Sequence, residues 1–222
     1  MSGQAQEIAL GKWLAAGLRH IGQIFIESRD GGTFALTHCE DVSQNDLVSY
    51  AQADDAAQLA RFDDAGNYRP LKTAPNLRRG WRLMLPDRSA LGVALDLFYP
   101  GRLAAFFAWG TGTFAATPLR ETLQRQTGMY RSTAKITDAE ANTLVGNFCR
   151  SDGGCLRTIL WKRDGEGTVA SALLPSEKFN PAHDQTGLGR PMIPLLCQEA
   201  CNLLVAEARK IVKADEVPPA AS

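Results

Sequence analysis

Gln23-Ile-Phe-Ile-Glu-Ser28, Asp30-Gly-Gly32 and Thr33-Phe-Ala-Leu-Thr-His38 form the stretch that decides the fold class. Apolar and polar residues alternate on both sides of the glycines, the two-residue period of a strand with one face against a core. The glycine pair supplies the positive-φ positions a tight reversal needs, so the two runs predict an antiparallel hairpin. Upstream, Ile8, Leu10, Trp13, Leu14 and Leu18 recur at helical spacing and predict an amphipathic helix over residues 7–19. Downstream, Asn45 reads as the N-cap of a helix running to Arg61. Helix, two strands and helix in that order point to an α+β protein.

Residues 62–79 are punctuated by Asp, Gly, Asn and Pro and predict a long ordered loop, followed by a strand at Gly80-Trp-Arg-Leu-Met-Leu85. Two short helices, 90–98 and 103–109, are separated where Tyr99-Pro100-Gly101 stops the first. Thr117-Pro118 opens another helix, to Gln126. Thr137 with Glu140 three residues later is a capping box for a helix over 138–148 that delivers Cys149. A strand is expected at Leu156-Arg-Thr-Ile-Leu-Trp161, a loop over 164–194, a last helix over 196–212 and a disordered tail at 217–222. The expected architecture is two abutting subdomains, a small antiparallel sheet with helices over 1–127 and a part organised around a four-cysteine metal cluster over 128–213, then a tail over 214–222.

The chain has 222 residues, enough to bury a substantial core, with 45% hydrophobic and 22% charged residues. Lys plus Arg equals Asp plus Glu at 24 each, so no overall field draws it to nucleic acid or an anionic membrane, and neither partner is expected. No basic region followed by an apolar run opens the sequence, and the apolar stretch 103–109 is too short to span a bilayer. These features lead to the expectation of a cytoplasmic protein. In that reducing compartment five cysteines are better explained as ligands, nucleophiles or buried small residues than as disulfide partners.

Four of them, Cys149, Cys155, Cys197 and Cys201, fall as C-x5-C, 41 residues, then C-x3-C. Ser151-Asp-Gly-Gly154 can fold the chain back so that the first two sulfurs converge. Cys197 and Cys201 are expected on one face at the start of the last helix, where free N–H groups favour thiolates. Against this stands the reading of buried apolar cysteines, which suits Cys39 alone after its strand. Four thiolates bind tetrahedral zinc or an iron–sulfur cluster; zinc knuckles usually show C-x2-C pairs, absent here, so a [4Fe–4S] cluster is favoured and zinc is the alternative. A zinc site with His183 or His38 replacing one cysteine is a further variant.

The runs Tyr68-Arg-Pro-Leu-Lys-Thr-Ala-Pro-Asn-Leu-Arg-Arg-Gly-Trp81 and Arg125-Gln-Thr-Gly-Met-Tyr-Arg131, the Cys149/Cys155 pair and Cys197-Gln-Glu-Ala-Cys201 resemble the region behind the chelatase domains of long CbiX-type sirohydrochlorin cobaltochelatases. The resemblance covers nearly the whole chain. It implies a stabilising subdomain followed by a [4Fe–4S]-binding subdomain, ligation by those four cysteines, and a place in cobalamin or sirohaem metabolism beside a chelatase or redox partner. The chelatase domains have no counterpart in these residues, so chelatase activity is not expected from this chain alone. Electron transfer or redox sensing is the first functional expectation, and a structural scaffold that binds a chelatase partner is the second.

One further cluster draws notice. Arg69, Lys72, Arg78, Arg79 and Arg82 concentrate five cations in a Pro-stiffened span, and Arg forks bind carboxylates and phosphates bidentately. An anionic ligand, such as a polycarboxylate tetrapyrrole, would suit it; equally, the cations can pair with Asp54, Asp55, Asp63 and Asp64 across the fold. Gly110-Thr-Gly112 lacks the context of a phosphate loop, and three histidines with no nucleophile elbow give no catalytic triad.

Overall fold

The computed structural model describes residues 3–72, 76–110, 133, 135–144, 157–159, 192–193, 195–197 and 201–215. Helix α1 spans Gly3–Ala15, beginning and ending before the expected bounds. It stops in a Schellman motif: the Leu18 N–H reaches the Trp13 carbonyl at 3.2 Å and the Gly17 N–H the Leu14 carbonyl at 3.1 Å. Gly17 takes the left-handed conformation this motif requires, with φ at +92°. Leu18, last of the apolar series, is therefore buried just beyond the helix.

The hairpin forms as expected. Strands β2 (Ile24–Ser28) and β3 (Phe34–His38) pair antiparallel from Ile24↔His38 to Ser28↔Phe34, around a 3-10 turn at Asp30–Gly32. A short strand missed in the sequence, β1 (His20–Ile21), precedes it and pairs with β2 across Gly22 and Gln23. All five residues of β3 are buried, because neighbours flank it on both sides.

The helix expected over 45–61 is not one element. Strand β4 (Val48–Tyr50) lies parallel to β5 (Trp81–Leu85), with Val48↔Trp81 in register, and only α2 (Asp55–Leu59) is helical. The backbone of 48–50 finds its partners in the β5 ladder, which outweighs the cap that Asn45 offered. The sheet is accordingly mixed and not antiparallel throughout: its order is β4-β5-β3-β2-β1-β7, parallel at β4·β5 and at β1·β7. Strand β7 (Met192–Ile193) arises within a stretch expected to be loop.

Helix α3 (Arg88–Phe98) is capped by Asp87, whose Oδ1 accepts from the Ala90 N–H at 2.8 Å, and lays Leu91, Ala94, Leu95 and Phe98 into the core. Trp81 of β5 stacks on Phe98 with centroids 5.1 Å apart, a contact worth about 1 kcal/mol beyond its buried area. Helix α4 (Arg102–Gly110) follows the Tyr99-Pro100-Gly101 break. Helix α5 (Asp138–Leu144) carries the expected capping box: the Thr137 N–H donates to Glu140 Oε2 at 2.6 Å and the Glu140 N–H to Thr137 Oγ1 at 3.3 Å. Strands β6 (Arg157–Ile159) and β8 (Leu195–Cys197) pair parallel in a second small sheet, and α6 (Asn202–Asp215) ends the described chain. Leu195, Leu204, Val205 and Val212 share one continuous apolar cluster with Leu10, Trp81 and Leu95. The helix expected at 117–126 and the tail at 217–222 lie outside the described residues.

Among the described residues no single helix is long and apolar enough to cross a membrane; α3 and α4 pass that test only together and are bent by 108°.

Candidate functional site

Cys149 and Cys155 lie outside the described residues, as does His183. Cys197 closes β8, where Ile159↔Cys197 and Arg157↔Leu195 are register partners. Arg157 follows Cys155 by two residues, so the backbone joins the stretch just after one cysteine pair to the stretch that ends at the other. The expectation that Cys197 and Cys201 share a helical face is overturned. Residues 195–197 take a parallel strand against β6, with Leu195 buried, and the helix starts only at Asn202.

Cys201 sits immediately before α6. Its half-buried Sγ accepts a hydrogen bond from the Leu204 N–H at 3.4 Å, while its carbonyl accepts from the Val205 N–H at 2.9 Å. That is the geometry of a capping residue, with sulfur in place of the usual oxygen. The position offers a soft donor in the positive field of a helix N-terminus, which fits a thiolate ligand of a cluster. Among the described residues no three His, Cys, Asp or Glu side chains converge on a metal site. Cys39 is buried in the sheet region, as its reading as a packing residue requires.

The five cations of the loop are placed individually. Arg79 is gripped by two carboxylates, Nη1 to Glu40 Oε2 and Nε to Asp64 Oδ2, each at 2.7 Å, and its N–H donates to Asp64 Oδ1 at 2.6 Å. Arg69 is buried and donates to the carbonyls of Ala60 at 3.3 Å and Lys72 at 3.2 Å. Lys72 Nζ reaches the Leu97 carbonyl near the end of α3 at 3.4 Å, and Arg82 Nη2 the Gln44 carbonyl at 3.3 Å. Arg78 is exposed, and its carbonyl accepts from Trp81 Nε1 at 2.5 Å. Four of the five thus fasten the loop to the body. Of the acidic partners named from the sequence, Asp64 fills the role; Glu40 was not foreseen.

Around Arg79 lies an open polar cleft of about 300 Å³, lined by His38, Glu40, Asp63, Asp64 and Gln23 among others. His38 Nδ1 accepts from the Glu40 N–H at 3.1 Å. Burial pushes the imidazole pKa below its ordinary value, against the opposing pull of the Asp41 and Glu40 charges. For Asp64, burial acts to raise the pKa, but the hydrogen bonds and charge of Arg79 outweigh it and hold the carboxyl below the usual range. The same pair of carboxylates raises Arg79. The next carboxylate, Asp41, is buried and accepts from the Gly80 N–H at 2.7 Å and Gln44 Nε2 at 3.0 Å. Gln23 Oε1 takes the Leu77 N–H at 2.7 Å, and the Gln23 N–H donates to Tyr99 Oη at 2.9 Å. The links that close this network join residues 15 to 76 positions apart, so no local pattern announces it.

The fold and the cysteine set define an α+β chain with a mixed sheet followed by a cysteine-bearing segment. Comparison with known proteins makes this specific. Residues 9–109 match the family model of the DR2241 stabilising domain, and residues 111–210 that of a 4Fe–4S iron–sulfur cluster binding domain. Among solved structures, DR2241 from Deinococcus radiodurans, described as a multi-domain protein with structural similarity to chelatases and two additional novel domains, is similar with a TM-score of 0.71 and 27% identity. The match covers 96% of this chain and 42% of DR2241. No curated protein matches. The resemblance to the stabilising and cluster-binding region of long CbiX-type chelatases is borne out.

Proposed function

We propose that this chain holds one [4Fe–4S] cluster through Cys149, Cys155, Cys197 and Cys201, and serves electron transfer or redox sensing beside a tetrapyrrole chelatase in the cytoplasm. The observation that carries the reading is the distribution of sulfur. Of five cysteines, four fall inside residues 111–210, the segment matched by the cluster-binding domain, and the fifth, Cys39, is buried elsewhere. A cubane takes four thiolates, and four are present. When bound, the cluster supplies one-electron chemistry. The chain's own contribution is to hold Cys201 against the start of α6 and to bring the two cysteine-bearing stretches together through β6 and β8. The described chelatase likeness of DR2241 supports the link to tetrapyrrole metabolism.

A structural role is the second reading, favoured by the packing of Leu204, Val205, Ala208 and Val212 of α6 into the common core. A cluster or zinc would then only fasten the C-terminal segment. Anaerobic purification tests both readings. A brown protein with iron and acid-labile sulfide is expected, its colour lost in Ser variants of each of the four cysteines and kept in Cys39→Ser. A colourless protein, or one holding zinc alone, overturns the cluster. Reversible reduction at a cellular potential supports electron transfer, and redox silence supports the structural role.

A further inference from the structure

Cys201 engages α6 twice. Its carbonyl opens the helical ladder by accepting the Val205 N–H at 2.9 Å, and its Sγ takes the Leu204 N–H at 3.4 Å. The Leu204 N–H belongs to the first turn, whose donors have no carbonyl within the helix, so the sulfur supplies an acceptor that α6 itself lacks. Leu204 is only 2% exposed, which keeps water from competing for the bond.

The donor is also held in place from the other side. Leu204, Val205, Ala208 and Val212 are buried in the apolar cluster that contains Leu10, Trp81 and Leu95, and Cys201 packs against the same cluster. The first turn of α6 is therefore anchored to the body of the fold and stays put when the charge on the sulfur changes.

We infer that the Leu204 N–H is a tuning donor, which through Cys201 raises the reduction potential of the bound cluster. The inference rests on the [4Fe–4S] reading above and makes Leu204 a positioning residue for electron uptake. When one electron enters a cluster from a donor, no bond breaks and no proton moves, but the ligand thiolates become more negative. A hydrogen bond and a helix N-terminus that favour charge on one of those sulfurs stabilise the reduced state more than the oxidised state.

Because the donor is backbone, proline is the side chain that removes it, and at the third residue of α6 the missing N–H breaks no helical hydrogen bond. The test is anaerobic voltammetry of the full chain, with iron and acid-labile sulfide measured on each sample. Leu204→Pro is compared with Leu204→Ala, which loses the same packing but keeps the N–H, and with Leu203→Pro, which places the ring one residue earlier on an exposed side chain. Leu204→Pro should reduce about three- to tenfold less favourably than Leu204→Ala, a fall of about 30–60 mV for one electron, while Leu203→Pro stays within about 1.5-fold of the wild type. Equal potentials for Leu204→Pro and Leu204→Ala, an equal fall in Leu203→Pro, or a cluster with no measurable couple overturns the inference and leaves cluster binding standing. A colourless wild type overturns both. If Leu204→Pro takes up no iron, isotopic labelling of leucine nitrogen decides: pulsed EPR of the reduced wild type should show a leucine nitrogen coupled to the cluster and lost in Leu204→Ala, and absence of that coupling overturns the inference.

Discussion

Replacing Tyr99 by Phe removes one atom from the centre of the fold. Tyr99 is fully buried, and its Oη accepts the Gln23 N–H at 2.9 Å at the turn between β1 and β2. Without it that donor has no acceptor while the ring still packs, so the loss is that of a stranded buried N–H, about 2 kcal/mol. For a chain of this length that corresponds to a fall in Tm of about 4–8 °C. Gly22 sharpens the test. A Cβ there would stand 2.6 Å from Tyr99 Oη and 2.7 and 2.9 Å from the ring carbons Cζ and Cε2, on a backbone with φ at +56° that disfavours side chains. Gly22→Ala should therefore destabilise the wild type and the Tyr99→Phe background alike, because the two ring carbons stay when the hydroxyl is gone. Urea melts of the four proteins, followed by tryptophan fluorescence, measure both losses. A Gly22→Ala cost that vanishes in Tyr99→Phe, or a Tyr99→Phe loss below about 0.5 kcal/mol, would refute the reasoning.

Three other outcomes are expected. The depressed His38 pKa means the unfolded chain binds the extra proton first, so stability should be level above pH about 6.5 and decline as pH falls below it. His38→Gln should flatten that slope in pH-dependent urea melts, and an unchanged slope would count against it. Thr137→Ala removes the hydroxyl of the α5 capping box and should cost about 1 kcal/mol, whereas Thr143→Ala on the exposed face of the same helix should cost markedly less. Stripping iron anaerobically should bring earlier proteolysis between Cys155 and Cys197, because metal–thiolate bonds contribute to folding there; equal protection with and without iron would contradict this.

Local chemistry was legible in the sequence where a short pattern settles the outcome. The β2–β3 hairpin, the Asp30-Gly31-Gly32 turn, the Tyr99-Pro100-Gly101 break and the Thr137/Glu140 box all appear where their residues point. What failed depended on distant partners. Residues 48–50 read as helix because nothing nearby announces β5, whose first residue is more than thirty positions on. Residues 196–197 read as the start of a helix for the same reason, the partner of their strand, β6, being Arg157–Ile159. At the cationic loop the residue types were evident, but whether a guanidinium faces solvent or a carbonyl such as that of Ala60 is a tertiary fact. The four cysteines were singled out by spacing and turn context, and the element that carries Cys197 is a strand in place of the expected helix.

Strand β7 pairs with β1, and so the open border of the first half's sheet is closed by residues made some 170 positions later. On the ribosome, His20–Ile21 must wait for Met192–Ile193 to emerge before that border is covered. A nascent chain halted before this point carries an unfinished sheet whose β1 edge is open to pairing with other strands.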